Sequence, residues 1–134
     1  MKPDELDFEI SFYEGILKKN PNFLQVLFIL ADIYTKKGLY KKALFIDKKL
    51  TKIKTDDPVV YYNLACDYSL LKKKDLSLKA LRKALKLGFK DFRFMEKDPH
   101  LDYIRKDRRY EELILEFKKA KRKFKYLKKI KSFD

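Results

Sequence analysis

Written in rows of 34, the chain repeats itself. Ile10, Leu44 and Leu78 fall in one column, and Ile16, Leu50 and Ala84 in another. Leu27 aligns with Tyr61, Leu30 with Leu64, Ala31 with Ala65, and Tyr34 with Tyr68. A fixed period of this length means stacked supersecondary units, each too small to bury its apolar face alone. Within a row the apolar residues step by three and four, as Leu6, Ile10, Tyr13 and Leu17 do. That is helical spacing. The predicted fold class is therefore all-α: an α-solenoid of antiparallel helical hairpins, closed by a long C-terminal capping helix.

Punctuation residues delimit the helices. A first helix is expected from about Asp4 to Lys19, ended by Asn20-Pro21-Asn22, and a second from Phe23 to Lys37, ended by Gly38. Lysines in the last turn followed by glycine make a typical C-terminus. A third helix runs from about Tyr40 to Lys54. Asp57-Pro58 then offers a cap and a first-turn proline for a fourth, which reaches about Leu71. A fifth covers about Asp75 to Leu87 and stops at Gly88. Asp98-Pro99 starts a short segment to about Arg105, and Asp107 caps a last helix from Arg108 to Ile130.

These columns resemble the tetratricopeptide repeat. Leu27, Leu30, Ala31 and Tyr34 fill its first block in one repeat, and Tyr61, Leu64, Ala65 and Tyr68 fill it in the next. Ala43 and Ser77 are the small residues early in each second helix. The pattern departs at Asp47 and Leu81, where an aromatic is usual, at Lys72, which replaces the turn glycine, and at Thr55, which replaces the closing proline. Residues 4–19 match only the second helix of a unit. The stretch from Ala84-Leu85-Lys86-Leu87-Gly88-Phe89 through Asp98-Pro99-His100-Leu101 to Tyr110 looks like the closing module of many bacterial tetratricopeptide proteins. The expected organisation is a repeat domain over 1–117, with a half-repeat at 4–19, repeats at 23–54 and 58–88 and a closing module at 89–117. A basic amphipathic helix or tail follows at 118–134.

The resemblance implies a protein or peptide partner held on the concave face, which the first helix of each hairpin lines. By register, Gln25, Phe28, Asp32 and Thr35 face that groove from one helix, and Val59, Tyr62, Cys66 and Ser69 from the next. Phe28 and Tyr62 are the candidate anchors, since aromatics dominate binding hot spots. The competing reading packs both rings on the half-unit or the terminal helices. Some family members grip a chaperone's terminal carboxylate with a Lys/Asn clamp, of which Asn63 alone is present here.

Charge adds a second candidate surface. The chain has 34 Lys and Arg against 20 Asp and Glu, a net charge of +14. Residues 1–34 hold three basic and six acidic side chains, whereas residues 35–90 hold sixteen and five. A basic balance attracts nucleic acid, anionic lipid or acidic protein segments. Residues 118–131 hold nine basic side chains and no acidic one. The candidate basic patch is Arg105, Arg108, Arg109, Lys118, Lys119, Lys121, Arg122, Lys123, Lys125, Lys128 and Lys129. An apolar stripe of Leu113, Phe117, Ala120, Phe124 and Leu127 runs along the same helix. Two readings stand: a cap covering the last repeat, or an amphipathic helix docking RNA or an anionic surface.

No catalytic constellation is legible. His100 is the only histidine and Cys66 the only cysteine, so a disulfide and a Cys/His zinc cage from this chain are both excluded. Cys66 reads as a buried inert thiol and His100 as a structural or exposed residue. Three scattered glycines make no phosphate loop. We therefore expect no enzyme, no cofactor and no metal. No apolar run approaches a membrane span, and the N-terminus lacks the apolar stretch of a signal peptide, so a cytoplasmic protein is expected. The leading half-unit also suggests a piece of a larger assembly.

Overall fold

Aspartate caps and left-handed turn residues mark several of the helix ends. The computed structural model describes residues 3–131. Helix α1 spans Pro3–Lys19, α2 Leu24–Lys37, α3 Tyr40–Ile53, α4 Pro58–Leu70 and α5 Lys74–Lys86. A short α6, Phe92–Lys97, leads through a single 3₁₀ turn, Pro99–Leu101, into α7, Asp102–Arg105, and the long α8, Arg108–Lys131. Strands are absent among the described residues. No helix there is long and apolar enough to cross a membrane.

The turn chemistry repeats with the register. Gly38 adopts φ 82°, its N–H donating to Thr35 O at 3.0 Å, while Leu39 N donates to Tyr34 O at 2.8 Å. One repeat later Lys72 adopts φ 60°, its N–H reaching Ser69 O at 3.0 Å, and Lys73 N reaches Tyr68 O at 2.8 Å. Lys72 thus takes the left-handed conformation that glycine adopts freely. At helix starts, Asp57 accepts from Val59 N at 2.9 Å and Asp107 from Arg109 N at 2.8 Å. Both caps agree with the sequence expectation.

Small residues let the hairpins close. Ala43, Ala65, Ser77 and Ala84 are fully buried. Ser77 Oγ donates to Ala65 O at 2.6 Å, which satisfies its hydroxyl in the α4–α5 contact. The core forms two clusters. One joins α1, α2 and α3 around Leu27, Leu30 and Leu50 and takes Val60 from α4. The other joins α4 and α5 to the closing module around Leu81, Met95, Leu101 and Ile104.

The closing module differs from expectation in two respects. Helix α6 is additional to the expected helices. It buries Phe92 and Met95, and Asp91 caps it by accepting from Phe94 N at 3.1 Å. Helix α8 covers the solenoid only with its first turns, through Tyr110, Leu113 and Ile114. Phe117 and Lys118 are half-buried, and Ala120 is already exposed. Phe124, Tyr126, Leu127 and Ile130 lie largely in solvent, Phe124 at 68%. The distal half is therefore an overhang, not a cap. Residues 132–134 of the expected tail lie outside the described residues.

Candidate binding groove

The concave face narrows to one cavity. It measures ≈ 370 Å³ and lies between α2, α4 and the closing module. Five of the eight expected groove residues line it: Asp32, Thr35, Val59, Tyr62 and Cys66. Gln25 and Phe28 do not. Gln25 is exposed, while Phe28 packs half-buried on the first cluster. Ser69 is 1% exposed, so its place in the groove is corrected to the core. Ser69 is covered although Leu70 beside it is half-buried, and register alone does not reveal such coverage.

Tyr62 is present but not free. Its ring stacks on Phe89 at 4.2 Å between centroids and tilts against Phe94 at 5.9 Å. Its hydroxyl donates to Asp98 Oδ2 at 2.5 Å. The competing reading therefore describes both aromatics: Tyr62 is held by the terminal module, and Phe28 by the leading helices. Asp98 is a hub. Its Oδ1 accepts from His100 N at 3.0 Å, and Cys66 Sγ lies 3.8 Å from Oδ2.

Cys66, Asp98 and His100 present donor atoms within 4.8 Å of one another. Sequence spacing singles out Cys66 and His100 and does not bring Asp98 to them. These groups are engaged with each other and with Tyr62, which gives Asp98 a structural role in docking the module. Burial, then the nearby Asp98 carboxylate, pushes the Cys66 thiol well up, so it stays protonated and a weak nucleophile. Burial likewise pushes the Tyr62 hydroxyl far up.

Two further residues were missed. Asp47 from α3 and Asp67 from α4 line the floor of the cavity, 3% and 2% exposed. Among the described residues, the atoms Asp47 Oδ1 and Asp67 Oδ2 have no hydrogen-bond partner. Burial raises both carboxyl groups above the ordinary range, and the Asp47 carboxylate raises Asp67 further. A hydrogen bond between the two carboxyl groups lowers Asp47 and raises Asp67. The signal was present in the rows of 34. Asp47 stands in the column of Tyr13 and Leu81, and Asp67 in the column of Ile33 and Leu101.

The basic patch is divided. Arg105 belongs to the fold: its Nη2 donates to Met95 O at 2.6 Å and Asp98 O at 2.7 Å, and Nη1 pairs with Asp102. Arg108 pairs with Glu112 at 3.2 Å. Arg109 pairs with Asp75 and with Asp107, each at 2.9 Å, which pulls Asp107 down to about 2. Lys118 bridges to Glu96 at 2.9 Å, and Lys121 lies over the Phe92 ring. Lys119, Arg122, Lys123, Lys125, Lys128 and Lys129 project from the exposed part of α8. The surface patch is thus the overhang, without the three arginines expected to extend it.

Comparison with known proteins agrees with the repeat register. The tetratricopeptide repeat family matches residues 24–57 and 58–88. A chloroplastic protein of Arabidopsis thaliana is 34% identical over 87 residues, which is 63% of this chain and 26% of that protein. The chain thus spans about a quarter of that relative's length. No solved structure matches the chain. Two consecutive repeats by sequence, and two hairpins closed by the same turn geometry, make the chain a tetratricopeptide repeat protein.

Proposed function

We propose that the protein is a non-enzymatic scaffold that binds a peptide or partner protein on its concave face, at the cavity between α2, α4 and the closing module. The carrying observation is that cavity. It combines apolar and aromatic walls with a few convergent polar groups, the usual composition of a recognition site. The tetratricopeptide fold serves protein–protein interaction in general. Val59, 48% exposed, lies at the mouth. Val59→Trp should block entry without disturbing the core. Capture with the variant should recover less of the wild-type partner, and unchanged recovery would discard the groove.

The overhang of α8 carries a second reading, the binding of RNA or an anionic surface. Its exposed Phe124, Tyr126 and Leu127 stand among lysines with no core to cover. Affinity for RNA or anionic vesicles should then fall steeply with salt, because bound counterions are released. Retention unaffected by deletion of residues 122–134 would reject it.

A further inference from the structure

Asp47 and Asp67 are costly where they stand. Both occupy columns that elsewhere hold core residues, and burying two carboxyl groups against each other with no cation beside them is strongly unfavourable. The chain has 34 Lys and Arg, yet Asp47 Oδ1 and Asp67 Oδ2 accept no hydrogen bond among the described residues. Both line the same cavity as Asp98 and the exposed Asp32. Of the four carboxyl groups on this cavity, Asp32 pairs with Lys36 at 2.9 Å and Asp98 accepts from Tyr62 and His100, which leaves Asp47 and Asp67 without a cation in a protein whose net charge is +14. The other walls are Ala31, Val59, Tyr62, Phe89 and Phe94.

An occupant must therefore be apolar along its length and cationic at its tip. Lysine and arginine side chains have that form, laying an aliphatic stem on apolar surface while the head seeks carboxylates. Aromatic faces beside the stem favour the cation further. A metal ion fits less well. The three donors closest to one another, on Cys66, Asp98 and His100, are already joined with Tyr62, whereas the unsatisfied oxygens belong to Asp47 and Asp67.

We propose that the cavity is a receptor for one lysine or arginine side chain of a partner protein's segment, its head held by Asp47 and Asp67 and its stem by Val59, Phe89 and Phe94. This rests on the concave-face reading above and names the chemistry recognised there. The repeat register supplies the walls, and the two aspartates supply the selectivity.

The test uses the full chain, labelled for nuclear magnetic resonance, and four blocked pentapeptides, Gly-Gly-X-Gly-Gly with X as Lys, Arg, norleucine or Glu. The Lys or Arg peptide should saturate shifts at the Val59, Tyr62 and Asp67 amides, and norleucine should bind at least 10-fold more weakly. Asp67→Asn, checked for folding by circular dichroism, should lose that preference. Asp47→Asn gives the same readout should Asp67→Asn not fold. Equal binding of norleucine and lysine peptides overturns the cationic receptor but keeps the groove. Shifts confined to α8, or none with any peptide, overturn both. Stoichiometric Zn²⁺ at Cys66, Asp98 and His100, with no response to the basic peptides, overturns the proposal in favour of a metal. Self-association of the chain that Asp67→Asn abolishes identifies a second copy as occupant and overturns the assignment to a partner protein.

Discussion

Asp67 sets a cost that its pH dependence exposes. Its folded carboxyl group is held well above the usual carboxylate range by burial and by Asp47, so the folded protein keeps a proton that the unfolded chain releases. Stability from this group is full at acid pH below the unfolded value and declines as pH rises toward the folded one. Asp67→Asn should flatten that decline and raise stability at pH 8 by about 1–3 kcal/mol, the scale of relieving a buried polar group. Urea midpoints at pH 5 and pH 8 check both. A stabilising change that abolishes recognition is the expected signature of a residue kept for binding. Tyr62→Phe tests the hub on the other wall. It removes the donor to Asp98 and should cost about 1–3 kcal/mol in urea unfolding, with Asp98 left buried and less satisfied. Sequence showed Asp47 as a departure from the repeat but did not pair it with Asp67. They lie 20 positions apart, on α3 and α4, and single-position register does not report which columns meet across helices.

At the scale of elements, the turns are the most legible feature. Gly38 and Lys72 occupy the same column and adopt the same left-handed geometry. Lysine pays a steric cost there that glycine does not. Lys72→Gly should therefore stabilise the α4–α5 hairpin by about 0.5–1 kcal/mol, measured by thermal or urea unfolding. The hairpins and their small contact residues followed from the 34-residue columns, and the aspartate caps of α4 and α8 from local start signals. Helix α6 did not. Six residues with two buried side chains, Phe92 and Met95, are too short to establish a period. The stripe on α8 misled in another way. Periodicity identifies a face, not what covers it, and Phe124 and Leu127 continue the face past the end of the surface beneath.

For the whole molecule, the boundary of the folded unit lies inside α8. Residues beyond Lys121 are exposed as far as they are described, so deleting 122–134 should leave the melting temperature nearly unchanged. Deleting from Tyr110 onward removes Tyr110, Leu113 and Ile114 from the second cluster and should lower it by many degrees. Thermal melts of both truncations by circular dichroism check this. The linear architecture also bears on the cavity. Phe89, Phe94, Asp98 and His100 all come from the terminal module, while the floor comes from the repeats. In a solenoid the end units are held on one side only and open most readily. On the reading proposed above, opening here would dismantle half of the receptor, and an occupant would act as a clasp. It would fasten the closing module to the repeats, so that occupancy would register as slower opening of that module.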